Sequence, residues 1–255
     1  MSQIHIIKTI WRTLRFAAFL TSLVSLSAVE RNSEIELFPG GIELTLLAEP
    51  KSRVLKIANF NNPITKSVLR IEEEEIDLEL IPKTDFWEIH LPRKKELKGS
   101  SIFIQTIGKP HLKGKAILVS PDKTGILKLH AHQATIVGRS LLYHPQAAMD
   151  ALGSWRDPED YVEWTIQVRR PGKYRVVVLQ SCEEDQGGSQ MEVRLGEETL
   201  RFRVKETDHP HAFKSRKVGT LKIESTEKQI LQLHMTRLTK EMAANIRRIE
   251  LIPID

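Results

Sequence analysis

Between Gly153 and Val178 the chain reads GSWRDPEDYVEWTIQVRRPGKYRVVV, in which Val162, Trp164, Ile166 and Val168 alternate with Tyr161, Glu163, Thr165 and Gln167. A period of two places the first set on one face of a β-strand and the second on the other, so one face belongs in a core. Arg170, Pro171 and Gly172 then interrupt with turn chemistry. Tyr174 to Leu179 follows as a nearly continuous apolar run, the pattern of a strand covered on both sides. Two strands joined by a turn, and two packed sheets, are predicted.

The same rhythm runs through the chain. Upstream the segments IELFPGGIELTLLAE, VLKIANFNNPI, SVLRIEEEEIDLELIP, DFWEIHLP, SIFIQTIGKP and KAILVS are short and mostly divided by Gly, Pro or Asn, which predicts a small sandwich. Glu72 to Glu75 reads as a solvated turn or edge rather than a metal site. Turn formers cluster from Pro121 to Gly125, and a second block follows: ILKLHAHQATIVG, YVEWTIQV, KYRVVVLQ, SQMEVRLG, ETLRFRV, RKVGTLKIE, KQILQLHMT and NIRRIELIP. Only Pro145 to Leu152 predicts a helical turn, ended by Gly153. The predicted class is all-β, with one sandwich over 29–122 and another over 123–255.

Residues 1–28 carry Lys8, Arg12 and Arg15 and no acid, followed by an apolar run from Phe16 to Leu26 and small residues at Ser25, Ser27 and Ala28. That is the composition of a secretory signal peptide, and the run is shorter than the roughly 20 apolar residues that span a bilayer. A secreted or periplasmic protein without a membrane span after cleavage is expected; retention of the segment as an anchor is the alternative. Composition, with 40% hydrophobic and 28% charged residues over 255, is globular. Loss of the three leader cations takes the formal charge from +5 to +2. No basic stripe interleaved with aromatics is visible, so nucleic acid is not an expected partner. Cys182 is the single cysteine. It allows no internal disulfide and reads as a small buried hydrophobe.

Several residues of the second block fall in a recognisable order: Leu129 and Ala131 with Ala134 and Gly138, Gly153 with Trp155, Asp160 to Trp164, Pro171 with Gly172 and Tyr174, Gly187 to Ser189, Thr207, Gly219, and Asn245 to Leu251. On these positions the block resembles the galactose-binding-like jelly-roll of family 6-type carbohydrate-binding modules, in the version appended to bacterial secreted α-L-fucosidases. The first block resembles the β-sandwich that follows the catalytic barrel in those enzymes, through VLKIANFNNPITKSVLRI, Leu91 with Pro92, and SIFIQTIGKP ending in Gly108, Lys109 and Pro110. The resemblance implies a glycan partner containing fucose or galactose. It also implies that a catalytic (β/α)₈ barrel of about 250 residues is absent between Val29 and Asp122. The chain is therefore expected to be an accessory, non-catalytic protein. Docking on a separately encoded glycoside hydrolase and residual fucosidase activity are the alternatives.

A sugar site needs an aromatic face and a few amides or carboxylates. Trp155, in a loop outside the strand alternation, either stacks on a sugar or plugs the end of the core, whereas Trp164 shares the parity of Val162 and is core. Asn245 matches an asparagine that the resemblance places in the cleft; the alternative is a turn role. Asp160 and Tyr161 open a strand beside the same loop. Where the resembling modules carry Thr-Gly-x-Trp, this chain has Thr207, Asp208, His209 and Pro210, then His211. By analogy with base stacking, the missing ring removes about 1–3 kcal/mol, unless His211 substitutes.

His130 and His132, two apart on the expected strand, project from one face and need a third ligand from His209, His211 or His234, so no metal site is assigned. No cofactor is expected. The calcium that the resemblance would bring is doubtful, because LHAHQA offers neither Asp nor Glu. Asp157, Glu159, Asp160 and Glu163 read as a solvated acidic loop rather than a catalytic pair.

Overall fold

A computed structural model describes residues 33–60, 62–93, 95–108, 110 and 116–254. The expected signal peptide over 1–28, and Lys109, lie outside the described residues. The protein is all-β. Its first sandwich comprises β1 (Ser33–Phe38), β2 (Gly41–Leu46), β3 (Val54–Ala58), β4 (Ile64–Ile71), β5 (Glu74–Asp77), β6 (Leu80–Pro82), β7 (Phe86–His90) and β8 (Ser101–Thr106). One sheet has the order β1-β2-β8-β4-β5 and the facing one β3-β7-β6. Alternate residues such as Leu55, Ile57, Trp87 and Ile89 meet Ile102 and Ile104 inside. The glutamate run forms the β4–β5 turn and the edge strand β5, where Glu75 is held by Lys66 and Arg70.

The second sandwich comprises β9 (Leu118–Val119), β10 (Leu127–His130), β11 (Thr135–Val137), β12 (Leu142–His144), β13 (Ala151–Gly153), β14 (Tyr161–Ile166), β15 (Gly172–Ser181), β16 (Gln190–Leu195), β17 (Glu198–Arg203), β18 (Lys214–Ile223), β19 (Gln229–Arg237) and β20 (Asn245–Ile254). One sheet has the order β12-β13-β20-β15-β18, with β10 also on β20; the other has β11-β14-β19-β16-β17, with β9 also on β14. Val162, Trp164 and Ile166 face Val176, Val178, Ile249 and Leu251 in one apolar layer. Leu118 and Val119, before the expected boundary at 122, pair in parallel with β14 of this second sandwich.

As the two packed sheets required, the strands on either side of Arg170–Gly172 fall in facing sheets: β14 bonds to β19 and β15 to β18 and β20, so the turn carries the chain from one sheet to the other. Three expectations change. β15 is not covered on both sides; its outward residues Arg175, Val177 and Leu179 are half-buried while Tyr174, Val176 and Val178 are buried. The segment ILKLHAHQATIVG is two strands, β10 and β11, broken by a 3-10 turn over Ala131–Gln133. The helical turn is a single turn in which the Asp150 N–H donates to the Gln146 carbonyl at 2.7 Å. It ends at Asp150 rather than Gly153, because Ala151–Gly153 finds sheet partners in β12 and β20.

That turn also joins the sandwiches. The Ile64 N–H donates to the Pro145 carbonyl at 2.6 Å and the Ala147 N–H to the Ile64 carbonyl at 2.8 Å. Gln146 Nε2 donates to the Leu80 carbonyl and Thr84 Oγ1 to the Arg139 carbonyl. Buried backbone groups need partners, and here each sandwich supplies some of the other's.

Candidate functional site

Two of the expected sugar contacts are structural. Trp155 is 0% exposed. Its indole N–H donates to the Asp160 carbonyl at 3.1 Å, and its own carbonyl accepts from the Ala243 N–H. A ring enclosed in this way has no face for a sugar, so the core reading of Trp155 is the correct one. Asp160 is 1% exposed and accepts from the N–H groups of Arg139, Ser140 and Leu141 and from the Ser140 hydroxyl, all within 2.8 Å. Burial alone would raise its pKa, but the Ser140 hydroxyl and the three N–H groups outweigh it and hold the carboxyl below its ordinary value of 3.8. Gly138 makes this possible, because a Cβ there would sit 2.1 Å from Asp160 Oδ1. Asp160 ties the 139–141 loop to the sandwich end, both of its carboxylate oxygens engaged within the protein.

The other three candidates separate. Tyr161 lies on the outer face of β14, its ring stacked on His234 of β19 at 4.7 Å. His211 is exposed in the loop before β18, its N–H donating to His209 Nδ1 at 3.1 Å. Asn245 begins β20 and points its amide at the Ser181 hydroxyl and the Pro210 carbonyl. Gly153 lies against it, where a Cβ would be 2.4 Å from the Asn245 Oδ1. The pocket beside Asn245, edged by Ser181, Cys182, Gln186, Pro210 and Met242, holds about 30 Å³, room for a water or two and not for a pyranose. The Pro210 carbonyl thus occupies the Asn245 amide. Cys182 is buried here, its thiol pushed up to about 11 by desolvation and by the carboxylates of Glu206 and Glu183.

The roomy cavity is at the opposite end. β15 and β20 pair from Ser181 opposite Asn245 to Lys173 opposite Ile254, about 30 Å of strand at roughly 3.3 Å per residue. Between the Lys123–Gly125 turn, the Arg169–Gly172 turn and Pro253–Ile254 opens a cavity of about 380 Å³. Lys123, Arg169, Arg170 and Lys173 line it together with Tyr174, whose hydroxyl donates to the Arg170 carbonyl at 2.7 Å. None of the described lining residues is acidic. Pro171 and Pro253 supply apolar wall. Residue type alone did not reveal this site: Lys123 lies far in sequence from the RRPGK turn, and the two meet because β10, which follows Lys123, and β15, which follows Arg170, both pair with β20.

A third cluster is His130, His132 and Asp150, whose donor atoms all lie within 4.8 Å of one another. The third member is an aspartate from the Gln146–Asp150 turn, not one of the expected histidines. His132 leaves the strand in the 3-10 turn, and its ring comes back to stack on His130 at 5.1 Å. Desolvation, with the neighbouring His132, pulls the His130 pKa below its usual 6.5.

No family model matches the chain. A search of the curated proteins finds no match. Among solved structures, an α-L-fucosidase from Vibrio sp. strain EJY3 is similar at 16% identity and a TM-score of 0.37, over 84% of this chain and 38% of that one. The C-terminal family 6 carbohydrate-binding module of a marine laminarinase from Zobellia galactanivorans aligns at 16% identity and a TM-score of 0.41, over 50% of this chain and 98% of its own length. The insecticidal crystal protein Cry2Aa aligns at 10% identity and a TM-score of 0.50, over 91% of this chain and 52% of that one. The chain spans about two fifths of the fucosidase and half of the crystal protein. Among the described residues no helix is long and apolar enough to cross a membrane. At identities this low the likeness is one of fold: β-sandwich.

Proposed function

We propose that the chain is a non-catalytic, exported accessory protein that binds carbohydrate, and that its second sandwich takes the glycan in the cavity between the Lys123–Gly125 and Arg169–Gly172 turns. The observation that carries the reading is that cavity. Its 380 Å³ falls within the range of small-ligand sites, and the apolar wall of Pro171, Pro253 and Ile254 lies beside the hydrogen-bond donors of Lys123, Arg169, Arg170 and Lys173. The sequence resemblance to carbohydrate-binding modules supports the ligand class. Four cations without a lining acid favour sugars bearing carboxylate or sulfate over the neutral fucose- or galactose-containing glycans first expected.

A glycan array followed by calorimetry on the chain tests this, with fucosylated, galactosylated, uronate-containing and sulfated probes side by side. The expected result is binding of an acidic glycan that weakens as salt is raised and is lost in the double variant Arg170→Ala, Lys173→Ala. Absence of binding to every probe overturns the reading, and neutral-sugar binding untouched by that variant moves the site elsewhere.

A second reading, docking on a separately encoded glycoside hydrolase, is favoured by a different observation. The first sandwich has a small apolar slot, walled by Ile35, Leu37, Ile57, Ala58 and Phe60, that opens beside the exposed edge residue Leu37. A partner's apolar side chain fits such a slot. Co-purification of a hydrolase that is released by Leu37→Asp supports it, and monodisperse free chain argues against it.

A further inference from the structure

β20 shares one of its edges between two short strands. β10 pairs with it from Leu127 opposite Leu251 to His130 opposite Arg248, and β13 pairs through Leu152 opposite Ile246. Arg247 falls at the seam between them. There one edge of β20 passes from β10 to β13, and side chains of the two short strands and their flanking turns meet. The side chains at the seam are His130, the last residue of β10; His132, in the 3-10 turn that follows; and Asp150, immediately before β13. Asp150 has φ +37°, the left-handed side of the map, which aspartate adopts more readily than most residues with a Cβ.

We propose that His130, His132 and Asp150 bind a divalent transition-metal ion that staples β10 to β13 across this seam. His132 Nδ1 lies 3.2 Å from Asp150 Oδ1. A tetrahedral ion with bonds of about 2.0–2.1 Å holds its ligand atoms roughly 3.3 Å apart, so this edge of the polyhedron is already at its bound length. His130, within 4.8 Å of both, closes the triangle by a small ring movement. All three side chains are half-buried, which leaves a fourth position for water.

One of the three groups has a second partner: Tyr143 Oη donates to Asp150 Oδ1 at 2.9 Å. Gln133 Oε1 accepts the His130 backbone N–H at 3.0 Å and so fixes the start of the 3-10 turn. The nearby cations are engaged elsewhere: Arg248 with Glu250 at 2.7 Å, Lys128 with Asp122 at 3.4 Å, and Arg247 with the Met149 and Ala148 carbonyls and the Phe213 ring. Two imidazoles and one carboxylate suit zinc and its neighbours. Calcium, which takes six to eight oxygens, is poorly served.

The test uses tag-free chain, stripped with chelator and titrated separately with Zn²⁺ alone and Ca²⁺ alone by calorimetry and thermal melting. One Zn²⁺ per chain is expected, with a melting temperature about 5–10 °C higher at a hundredfold excess over Kd and no response to Ca²⁺. His132→Gln and Asp150→Asn should each lose the heat and the shift, and Tyr143→Phe should weaken binding about 10–100-fold. The His209→Ala, His211→Ala double variant should bind as the parent does. Circular dichroism identifies any variant that fails to fold; His132→Gln, in a half-buried turn, then carries the test. Failure of the parent to bind Zn²⁺, Zn²⁺ binding that survives both His132→Gln and Asp150→Asn, or preference for Ca²⁺ overturns the proposal.

Discussion

The two ends of the β15–β20 pair differ in how completely their polar atoms are used. At the Asn245 end, the amide, the Ser181 hydroxyl and the Pro210 carbonyl bond one another around a pocket of about 30 Å³, and the neighbouring Asp160 carboxylate is satisfied by four donors. At the Arg170 end, exposed cations surround a cavity of about 380 Å³. A polar group that already has partners inside the protein must lose them to take a ligand. One facing water exchanges one hydrogen bond for another. Trp155, Asp160 and Asn245 are therefore spent on the end that is built, while the cavity of about 380 Å³ lies at the end that is open.

The largest expected effect lies at the built end. Trp155→Ala should cost about 3–5 kcal/mol, seen in chemical denaturation, because it empties a fully enclosed site and strands the Asp160 carbonyl. A loss below about 1 kcal/mol would show that the ring is not core and reopen it as a sugar platform.

The next expected effect is a dependence on acid. Asp160 has a folded pKa below its ordinary 3.8, so its contribution to stability is complete above that value and fades as pH falls through the lower folded value. Asp160→Asn should flatten that part of the pH–stability curve and destabilise the chain by about 1–3 kcal/mol at neutral pH, since one of its two acceptor oxygens is lost. An unchanged acid limb would remove the carboxylate from the account of this end.

Asn245→Ala is expected to cost about 0.5–1.5 kcal/mol and to create no sugar binding. Its contacts to Ser181 and Pro210 are 3.4 and 3.3 Å, long for hydrogen bonds. Altered glycan affinity in this variant would place a ligand at the built end after all. Smallest of all, Arg170→Ala with Lys173→Ala should leave the denaturation midpoint within the equivalent of about 0.5 kcal/mol while removing acidic-glycan binding. Larger destabilisation would mean that the open end, too, is structural.

Much of the fold was legible. Strand identity is a short-range property, and the alternation of Val162, Trp164 and Ile166 places those side chains in the core, as observed. The same segment left the pairing partners open, because a turn of Arg, Pro and Gly suits a hairpin and a crossing between facing sheets alike; β14 pairs with β19, and β15 with β18 and β20. Trp155 misled for a related reason. A Gly- and Pro-containing loop looks exposed, yet Trp155 is fully buried, its indole bonded to the Asp160 carbonyl and its own carbonyl to the Ala243 N–H. The third partner for His130 and His132 was sought among histidines, but it came from the Gln146–Asp150 turn, whose sequence resembled the start of a helix.

From its sequence alone the chain is an all-β protein with the faces of its long strands assigned, since a period of two and turn residues act between near neighbours. Only the tertiary structure decided which strands share a sheet, that Trp155 and Asp160 are interior, that Lys123 joins Arg169, Arg170 and Lys173 around one cavity, and that Asp150 meets two histidines. Each of these depends on register between segments far apart in the chain. Register is set by the packing of the whole sandwich, not by any residue's neighbours in sequence.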